Sequence, residues 1–221
     1  MKKPAMHKHK IAIIDDHPAV RYGLNARISC EDDLFVCGEA EDVEEGLALL
    51  ERVCPHVAIV DVSLKSGNGL DLIKRAKARG DFTRFLVWSM YEEELYADRA
   101  LRAGAMGYIN KQVAIDSIIT AIREVLQDHV YLSPSLSNTL LNRLILGRQG
   151  TQQSPKECLS DRELQVFEQI GHGKTTQQIA ELLKLSPSTI ETYRSRIKQK
   201  LDCKNMAELA RSATQWVLER A

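Results

Sequence analysis

Five polar side chains in the N-terminal part of the sequence stand at the ends of short apolar runs. Asp15 and Asp16 come directly after IAII, and Asp61 comes directly after VAIV. Ser89 and Lys111 end two later apolar runs. If these runs are parallel strands, their carboxyl ends meet at one edge of a sheet, where ligands of open α/β folds bind. We therefore expect three carboxylates, a hydroxyl and an ammonium to lie close together.

The chemistry expected of this set is phosphoryl transfer. Three clustered carboxylates repel one another, so the site requires a cation, and a small set of oxygen ligands favours Mg²⁺. A carboxylate beside Mg²⁺ can act as a nucleophile and form an aspartyl phosphate. Lys111 could pair with the transferred oxygens while Ser89 hydrogen-bonds one of them. Polar residues are common at solvent-facing strand ends, so only the joint pattern is specific.

The elements around these residues alternate between short apolar runs and amphipathic stretches, which predicts strands joined by crossover helices. We predict five strands, at Lys10–Ile14, Phe35–Glu39, Val57–Val60, Phe85–Trp88 and Gly107–Ile109. We predict five helices, at Val20–Ser29, Val43–Arg52, Gly69–Arg79, Glu92–Ala103 and Ala114–Leu126. The strands lie too far apart in the chain for hairpins, so the sheet should be parallel. The expected fold is a doubly wound α/β domain with a five-stranded parallel sheet.

Together, the acidic site and its strands resemble the receiver domains of two-component response regulators over roughly Lys10 to Gln127. On this resemblance Asp61 is the phosphoacceptor. Asp16 is implied as a direct Mg²⁺ ligand, and Asp15 as a ligand that acts partly through water. The backbone carbonyl of Ser63 is implied as a further ligand of the metal.

The resemblance also implies a switch. Ser89 and Lys111 look like the pair that senses the phosphoryl group, and Tyr108 looks like the aromatic residue that rotates when Ser89 moves. One departure is visible, because Lys65 stands where many receivers have proline. Two glycines follow it in SLKSGNGLDL, so we expect an altered loop surface rather than a lost site.

The C-terminal part of the sequence, in contrast, contains only helical signals. Three helix starts carry capping residues, namely Ser160 with Glu163, Thr175 with Gln178, and Ser186 before Pro187. A fourth helix is predicted from Met206 to Leu218. The second and third helices are short and joined by the tight turn Lys184-Leu185-Ser186, which predicts a helix-turn-helix.

The third helix of this module has two different faces at 100° per residue. The face expected to pack inward carries Ile190, Tyr193, Ile197 and Leu201. The opposite face carries Ser188, Glu191, Thr192, Ser195 and Gln199, flanked by Arg196 and Lys198. Four basic residues against one glutamate give this helix a local charge of +3. Such a face suits the major groove of DNA, although a solvated amphipathic helix has the same pattern.

The run LSDRELQVFEQIGHGKTTQQIAELLKLSPSTIETYRSRIKQKL removes that ambiguity, because it resembles the LuxR-type helix-turn-helix of the NarL/FixJ response regulators. The resemblance covers about Cys158 to Arg220. We predict base contacts by Glu191, Thr192 and Ser195, and DNA backbone contacts by Lys174, Ser188, Arg194, Arg196 and Lys198. Tyr193 stands where many members have histidine and should have little effect on docking, because it faces the core.

The composition fits a protein of two ordinary domains, with 221 residues, 44% hydrophobic and 27% charged. The 30 basic and 30 acidic residues cancel, so DNA contact must come from a local patch. Five scattered cysteines and the lack of a signal-like or membrane-length apolar run indicate reduced thiols in the cytoplasm. The expected organisation is a disordered tail at 1–9, a receiver at 10–130, a short helix and linker at 131–157, and the DNA-binding domain at 158–221.

The function predicted from these features is that of a phosphorylation-regulated transcription factor. A sensor histidine kinase or other phosphodonor would phosphorylate Asp61, and the active protein would bind double-stranded DNA as a homodimer. The only enzymatic activity expected is self-phosphorylation and autodephosphorylation. Three alternatives are a module whose output is protein contact, a Mg²⁺ phosphohydrolase, and a protein that binds DNA constitutively. The phosphohydrolase lacks support because Val62 and Ser63, not a second carboxylate, follow the nucleophile.

Overall fold

The computed structural model describes residues 8–138 and 158–219, which belong to two compact units. The first unit alternates strands and helices. Its strands are β1 (His9–Ile14), β2 (Leu34–Ala40), β3 (Val57–Val60), β4 (Arg84–Ser89) and β5 (Ala105–Asn110). Its helices are α1 (Pro18–Ser29), α2 (Val43–Val53), α3 (Gly69–Ala78), α4 (Glu93–Ala103) and α5 (Asp116–Leu126).

The five strands form one parallel sheet, as predicted, and their order in it is β2-β1-β3-β4-β5. The central strands β1, β3 and β4 are buried along most of their length because helices cover both faces of the sheet, and their buried residues are almost all apolar. Helices α1 and α5 pack on one face through Leu24, Ile28, Ile118 and Ile122. Helices α2 and α3 meet on the other face, where Gly46 lies against the side chains of Leu72 and Ile14. This architecture places every β-to-α loop at the carboxyl edge of the sheet.

The elements differ from the prediction mainly at their ends. Helix α1 begins at Pro18 rather than Val20, because proline is tolerated at the first helical position. Strand β1 begins at His9, a residue that the sequence analysis placed in the tail. Of the short helix and linker predicted at 131–157, residues 134–138 are helical, and residues 139–157 lie outside the described residues.

The second unit is formed by four helices, α6 (Asp161–Gly171), α7 (Thr176–Leu183), α8 (Pro187–Lys200) and α9 (Met206–Leu218). Both predicted capping boxes are confirmed, and Ser186 accepts a hydrogen bond from the backbone N–H of Thr189. Lys184 adopts the left-handed conformation, at φ 54°, which ends α7 sharply and makes the turn into α8. The buried core contains Leu164, Phe167, Ile179, Leu183, Ile190, Ile197, Leu209 and Ala213.

Candidate functional site

The three aspartates predicted to converge lie side by side at the carboxyl edge of the sheet. Ile14 and Val60 are register partners of β1 and β3, so the residues that follow them leave the sheet together. Asp15, Asp16 and Asp61 are 2%, 8% and 4% exposed. Three carboxylates at this depth need compensation by cations, since buried charges without partners are costly.

Lys111 supplies part of that compensation. Its Nζ atom lies 2.6 Å from Oδ2 of Asp15 and 2.7 Å from Oδ2 of Asp61, and only 7% of its side chain is exposed. Its backbone N–H donates to the Ser89 carbonyl at 2.8 Å, which ties the end of β5 to the end of β4. Although burial lowers the pKa of Lys111, the Asp61 and Asp15 carboxylates raise it by more, so the pKa lies above its ordinary value. The ammonium is therefore charged at neutral pH.

For Asp61 the effect of burial on the pKa is larger than the effect of the nearby cation, whereas for Lys111 the charged neighbours have the larger effect. Burial raises the pKa of its carboxyl above the ordinary value, and the nearby Asp15 charge acts in the same direction. Lys111 and the Ser89 hydroxyl lower the pKa, but not enough to cancel the effect of burial. Its Oδ2 atom contacts Lys111, while its buried Oδ1 atom has no hydrogen-bond partner. The carboxylate thus retains an oxygen available for a ligand.

The acidic cluster can hold a metal ion. Ligand atoms of Asp15, Asp16, Asp61 and His17 all lie within 4.8 Å of one another. The orphaned Oδ1 atom of Asp61 and the oxygen-rich donor set fit a hard divalent cation. His17, whose ring contacts Asp15 and Asp16, was not singled out from the sequence, although it follows the two aspartates directly. Ser63, predicted to add its backbone carbonyl, is half-buried in the loop that follows Asp61.

The loop after Asp61 is fixed by close backbone contacts. A Cβ atom on Gly69 would lie 1.9 Å from the carbonyl oxygen of Asp61, so only glycine fits at the start of α3. The backbone N–H of Lys65 donates to the Glu41 carbonyl at 3.2 Å, and its Nζ forms an ion pair with the Glu41 carboxylate. Proline lacks this N–H, so lysine at position 65 adds a hydrogen bond to the loop before α2 that a proline could not form.

Tyr108 is buried beneath the loop between β4 and α4. It is 1% exposed, and its hydroxyl donates to the Tyr91 carbonyl at 2.7 Å. The side-chain amide of Asn110 donates to the same carbonyl at 3.1 Å, a contact that the sequence analysis missed. Burial, with a contribution from Asp61, raises the pKa of Tyr108 well above its ordinary value. The tyrosine thus lies inward as a neutral hydrogen-bond donor.

A short segment after α5, which we call the strap (residues 129–133), returns along the free edge of β5. The Tyr108 N–H donates to the Tyr131 carbonyl at 3.1 Å, and the Tyr131 N–H donates to Met106 at 2.9 Å. The Ser133 N–H donates to the Glu93 carboxylate on α4 at 2.9 Å. The sequence predicts no strand here, because a single bridged residue produces no periodic pattern. Through Tyr131 the strap contacts the backbone of Tyr108 directly.

In the second unit, α8 has the two faces that its sequence predicts. Ile190 and Ile197 are fully buried, while Tyr193 and Leu201 are only half-buried. Among the residues predicted to contact DNA, the exposed ones are Ser188, Glu191, Thr192, Ser195 and Arg196. The half-buried ones are Lys174, Arg194 and Lys198. A polar, basic face is therefore presented along most of the helix.

Two of the predicted base readers also make contacts within this unit. The Glu191 carboxylate accepts a hydrogen bond from the Thr176 hydroxyl at 2.6 Å. Arg194 donates to the Thr176 hydroxyl at 2.5 Å and lies 3.5 Å from Glu191. The Thr192 hydroxyl donates to the Ser188 carbonyl one turn earlier, at 3.0 Å. Thr176 on α7 was not singled out from sequence, yet it joins the two helices of the helix-turn-helix.

The fold and the two sites define a class, that of two-part signalling proteins in which an aspartate-containing receiver precedes a helix-turn-helix. The response regulator receiver domain family matches residues 11–123, and the LuxR family of bacterial regulatory proteins matches residues 157–213. The chain belongs to the response regulators with a LuxR-type DNA-binding domain. Its function is phosphorylation-regulated control of transcription, and it is not an enzyme in the ordinary sense.

Full-length relatives support this assignment. The chain is 34% identical to the oxygen regulatory protein NreC of Staphylococcus carnosus, over 92% of this chain and 96% of NreC. It is 32% identical to the response regulator GacA of Pseudomonas aeruginosa, over 91% and 93% of the two chains. Among solved structures it is similar to RcsB from Salmonella enterica serovar Typhimurium, bound to the promoter rprA with the phosphomimetic BeF₃⁻. That match has a TM-score of 0.60 and 26% identity, and it covers 94% of this chain and 99% of RcsB.

Proposed function

We propose that Asp61 accepts a phosphoryl group from a partner histidine kinase or another phosphodonor and that this modification controls DNA binding. The observation that carries the proposal is the Lys111 ammonium within 2.7 Å of the Asp61 carboxylate, beside a second Asp61 oxygen that has no hydrogen-bond partner. A bound Mg²⁺ would neutralise charge on the transferring group. Its ligands would be Asp15, Asp16, Asp61 and the backbone carbonyl of Ser63.

The chain's own groups supply the remaining chemistry. An Asp61 carboxylate oxygen forms the new bond to phosphorus, and the bond to the donor's leaving group breaks. Lys111 then exchanges its contact with the Asp61 oxygen for a phosphoryl oxygen, which is a charge-assisted contact of the same kind. The Ser89 hydroxyl, buried at the end of β4, donates to another phosphoryl oxygen. Later attack by water returns free phosphate, so autodephosphorylation is a side reaction and not the main function.

The contacts around Tyr108 provide a route out of the site. A shift of Ser89 toward the phosphoryl group also displaces the loop that carries Tyr91. Tyr108 and Asn110 share the Tyr91 carbonyl as an acceptor, so both side chains respond to the movement of this loop. Because the Tyr108 backbone is paired with Tyr131 of the strap, the shift reaches the segment that leads to the DNA-binding unit. Phosphorylation thus biases an existing two-state equilibrium.

The output we propose is dimeric binding to double-stranded DNA at half-sites about one helical turn apart. RcsB, to which this chain is 26% identical, is bound to promoter DNA in the presence of a phosphomimetic, which supports DNA binding as the output. None of the helices in residues 8–138 and 158–219 is long and apolar enough to cross a membrane. We propose that the protein acts in the cytoplasm, where its DNA is. Base contacts would come from Glu191, Thr192 and Ser195, and backbone contacts from Lys174, Ser188, Arg194, Arg196 and Lys198.

The direct test compares wild type with Asp61→Asn, and with Asp32→Asn as a matched control at an exposed aspartate outside the site. Each protein is incubated with acetyl phosphate and Mg²⁺, and intact mass is measured. A DNA fragment selected from genomic fragments by the phosphorylated protein is then used in mobility-shift titrations. We expect one phosphoryl group and tighter DNA binding for wild type and Asp32→Asn, and neither for Asp61→Asn. Equal phosphorylation of Asp61→Asn, or equal DNA affinity of the treated proteins, would contradict the proposal.

A further inference from the structure

The Glu191 carboxylate, on the exposed face of α8, is held through one of its two oxygens. Its Oε1 atom accepts the hydroxyl proton of Thr176 at 2.6 Å and lies 3.5 Å from Nη1 of Arg194. Within the described parts of the chain, both contacts of this side chain fall on Oε1 and neither falls on Oε2. The side chain is 52% exposed, so Oε2 is left for a donor from outside the protein.

The Thr176 hydroxyl fixes the direction of this arrangement. It accepts from Nη1 of Arg194 at 2.5 Å and donates to Glu191, so its donor and acceptor roles are both used within the second unit. A hydroxyl has a single proton to donate, and the contact with the guanidinium directs that proton toward the carboxylate. Thr176 is the first residue of α7, so a residue outside α8 restrains the side-chain torsions of Glu191.

The charge of Glu191 limits what its free oxygen can bind on DNA. A carboxylate accepts hydrogen bonds and donates none, and the negative phosphates repel it. Arg194, whose side chain is 20% exposed, lies beside the carboxylate and offsets part of that repulsion. The donors that bases present in the major groove are the amines of cytosine and adenine. Adenine places its N7 acceptor beside the amine, whereas cytosine presents the amine alone, so cytosine suits a carboxylate better.

We infer that Glu191 reads one cytosine of each DNA half-site through Oε2, and that Thr176 is the positioning residue that holds Glu191 in the reading orientation. The inference rests on the DNA binding of the proposed function, and it adds a base identity and a residue outside α8. Because the hydroxyl restrains the carboxylate before DNA arrives, less side-chain freedom is lost on binding. Loss of the hydroxyl should therefore lower discrimination at one base pair and leave the other base pairs unchanged.

The first experiment exchanges the base that residue 191 reads. Full-length wild type, treated with acetyl phosphate and Mg²⁺, selects sites from a randomised double-stranded DNA library. Affinities are then measured for the selected site with each base pair replaced in turn. Glutamine pairs with adenine through N6 and N7, so we expect Glu191→Gln to move the preference at one position from cytosine to adenine, by about tenfold. Glu181→Gln removes the same charge from an exposed position of α7 and should change no preference.

The second experiment tests the positioning role of Thr176. Thr176→Val keeps the shape of the side chain and removes the hydroxyl, whereas Thr176→Ser retains the hydroxyl. We expect Thr176→Val to lower the preference for cytosine at the Glu191 position by about threefold or more, and Thr176→Ser to retain it. In a Glu191→Ala background, Thr176→Val should not change that preference further, because no carboxylate remains to be held.

The outcomes separate the inference from the proposed function. A ratio of two affinities for one protein does not depend on its folded fraction, so a purely structural role of Thr176 would leave the base preference unchanged. If Thr176→Val weakened all sequences alike, or if no cytosine position responded to Glu191→Gln, the inference would be overturned and the proposed DNA binding would stand. If the phosphorylated wild type selected no sequence at all, the proposed function would fall together with the inference.

Discussion

Burial raises the pKa of Asp61 above its ordinary value in spite of the nearby Lys111 ammonium. Because burial raises its folded pKa, the folded protein is stabilised by protonation of this group, and stability is lost as pH rises through the ordinary carboxyl range toward the raised value. We predict that Asp61→Asn stabilises the metal-free protein at neutral pH, by about 1 kcal/mol, the usual scale for relieving a functional site of strain. Thermal unfolding in EDTA measures this effect.

The pH dependence separates this cause from other effects of the substitution. Well below the native pKa the wild-type carboxyl is itself neutral, so the gain from Asp61→Asn should disappear as pH falls. The control is Asp32→Asn, whose exposed side chain should leave the melting temperature unchanged. A gain that stays constant from neutral to acidic pH would contradict the assigned cause.

At the scale of single residues, the sequence predicted where the site residues lie better than it predicted where their side chains and N–H groups point. Asp15, Asp16 and Asp61 meet as expected, because strand ends of a parallel sheet share an edge whatever the details of packing. The aim of the His17 ring could not be predicted, since it depends on how α1 starts at Pro18. The hydrogen bond that the Lys65 backbone N–H donates could not be predicted either, because the sequence does not show which acceptor a main-chain donor will find.

Among the elements, α6 and α8 are joined through Glu163. Its carboxylate accepts from the Ser160 N–H at 2.8 Å and from Lys200 Nζ at 2.6 Å. We predict that Glu163→Ala, which removes the capping box and the ion pair, costs the second unit about 2 kcal/mol. Glu163→Gln keeps an acceptor for the cap and should cost about half as much. Chemical denaturation measures both values.

The Glu163 carboxyl also predicts that the second unit loses stability at acidic pH. Burial raises the pKa of Glu163, but Lys200 and Ser160 lower it by more, so it lies below the ordinary value of 4.5. A lowered folded pKa gives stability that is present above the unfolded value and is lost as pH falls through the folded one. This loss should be absent in Glu163→Gln, and an identical acid profile for both proteins would exclude the ion pair as its cause.

Helix α4 and the strap give a second prediction at this scale. Glu93→Ala removes the acceptor of the Ser133 N–H, and Glu93→Gln retains a carbonyl oxygen there. Hydrogen exchange of the Tyr108 and Tyr131 amides should be faster in Glu93→Ala than in Glu93→Gln, because the strap is held at fewer points. Equal protection in the two variants would mean that β5 alone holds the strap.

Some secondary-structure elements could be predicted from the sequence, and others could not. The five strands and their parallel pairing were predictable because buried apolar runs and crossover helices have long, repeated patterns. The strap was not, because its pairing involves one residue, Tyr131, and depends on an edge of β5 that only the assembled sheet presents. The hydrogen bonds that join Thr176 to Glu191 and Arg194 depend on how α7 packs against α8. The periodicity of one helix does not predict that packing.

For the whole molecule, the balance of 30 basic and 30 acidic residues means that long-range attraction to DNA is weak. Binding should then depend on a few phosphate contacts along α8. We predict that Arg196→Ala weakens binding to all sequences alike and reduces the salt slope of log K by about 0.9, the value for one phosphate. Titration at several salt concentrations gives this slope.

The matched control is Arg52→Ala, an exposed arginine on α2 that removes the same charge from the molecule. If net charge alone governed binding, Arg52→Ala would lower the slope equally, and the local assignment to α8 would be wrong. A change confined to one base position for Arg196→Ala would instead identify Arg196 as a base reader.

The ammonium of Lys111 has a consequence for how the protein is made. Many small metal sites are assembled only when the ion arrives, because their ligands repel one another without it. Here an internal cation already bridges two of the three carboxylates, so the newly synthesised chain carries its own counter-ion. Folding should therefore proceed when divalent metal is scarce. Low metal would then prevent phosphorylation without lowering the amount of folded protein.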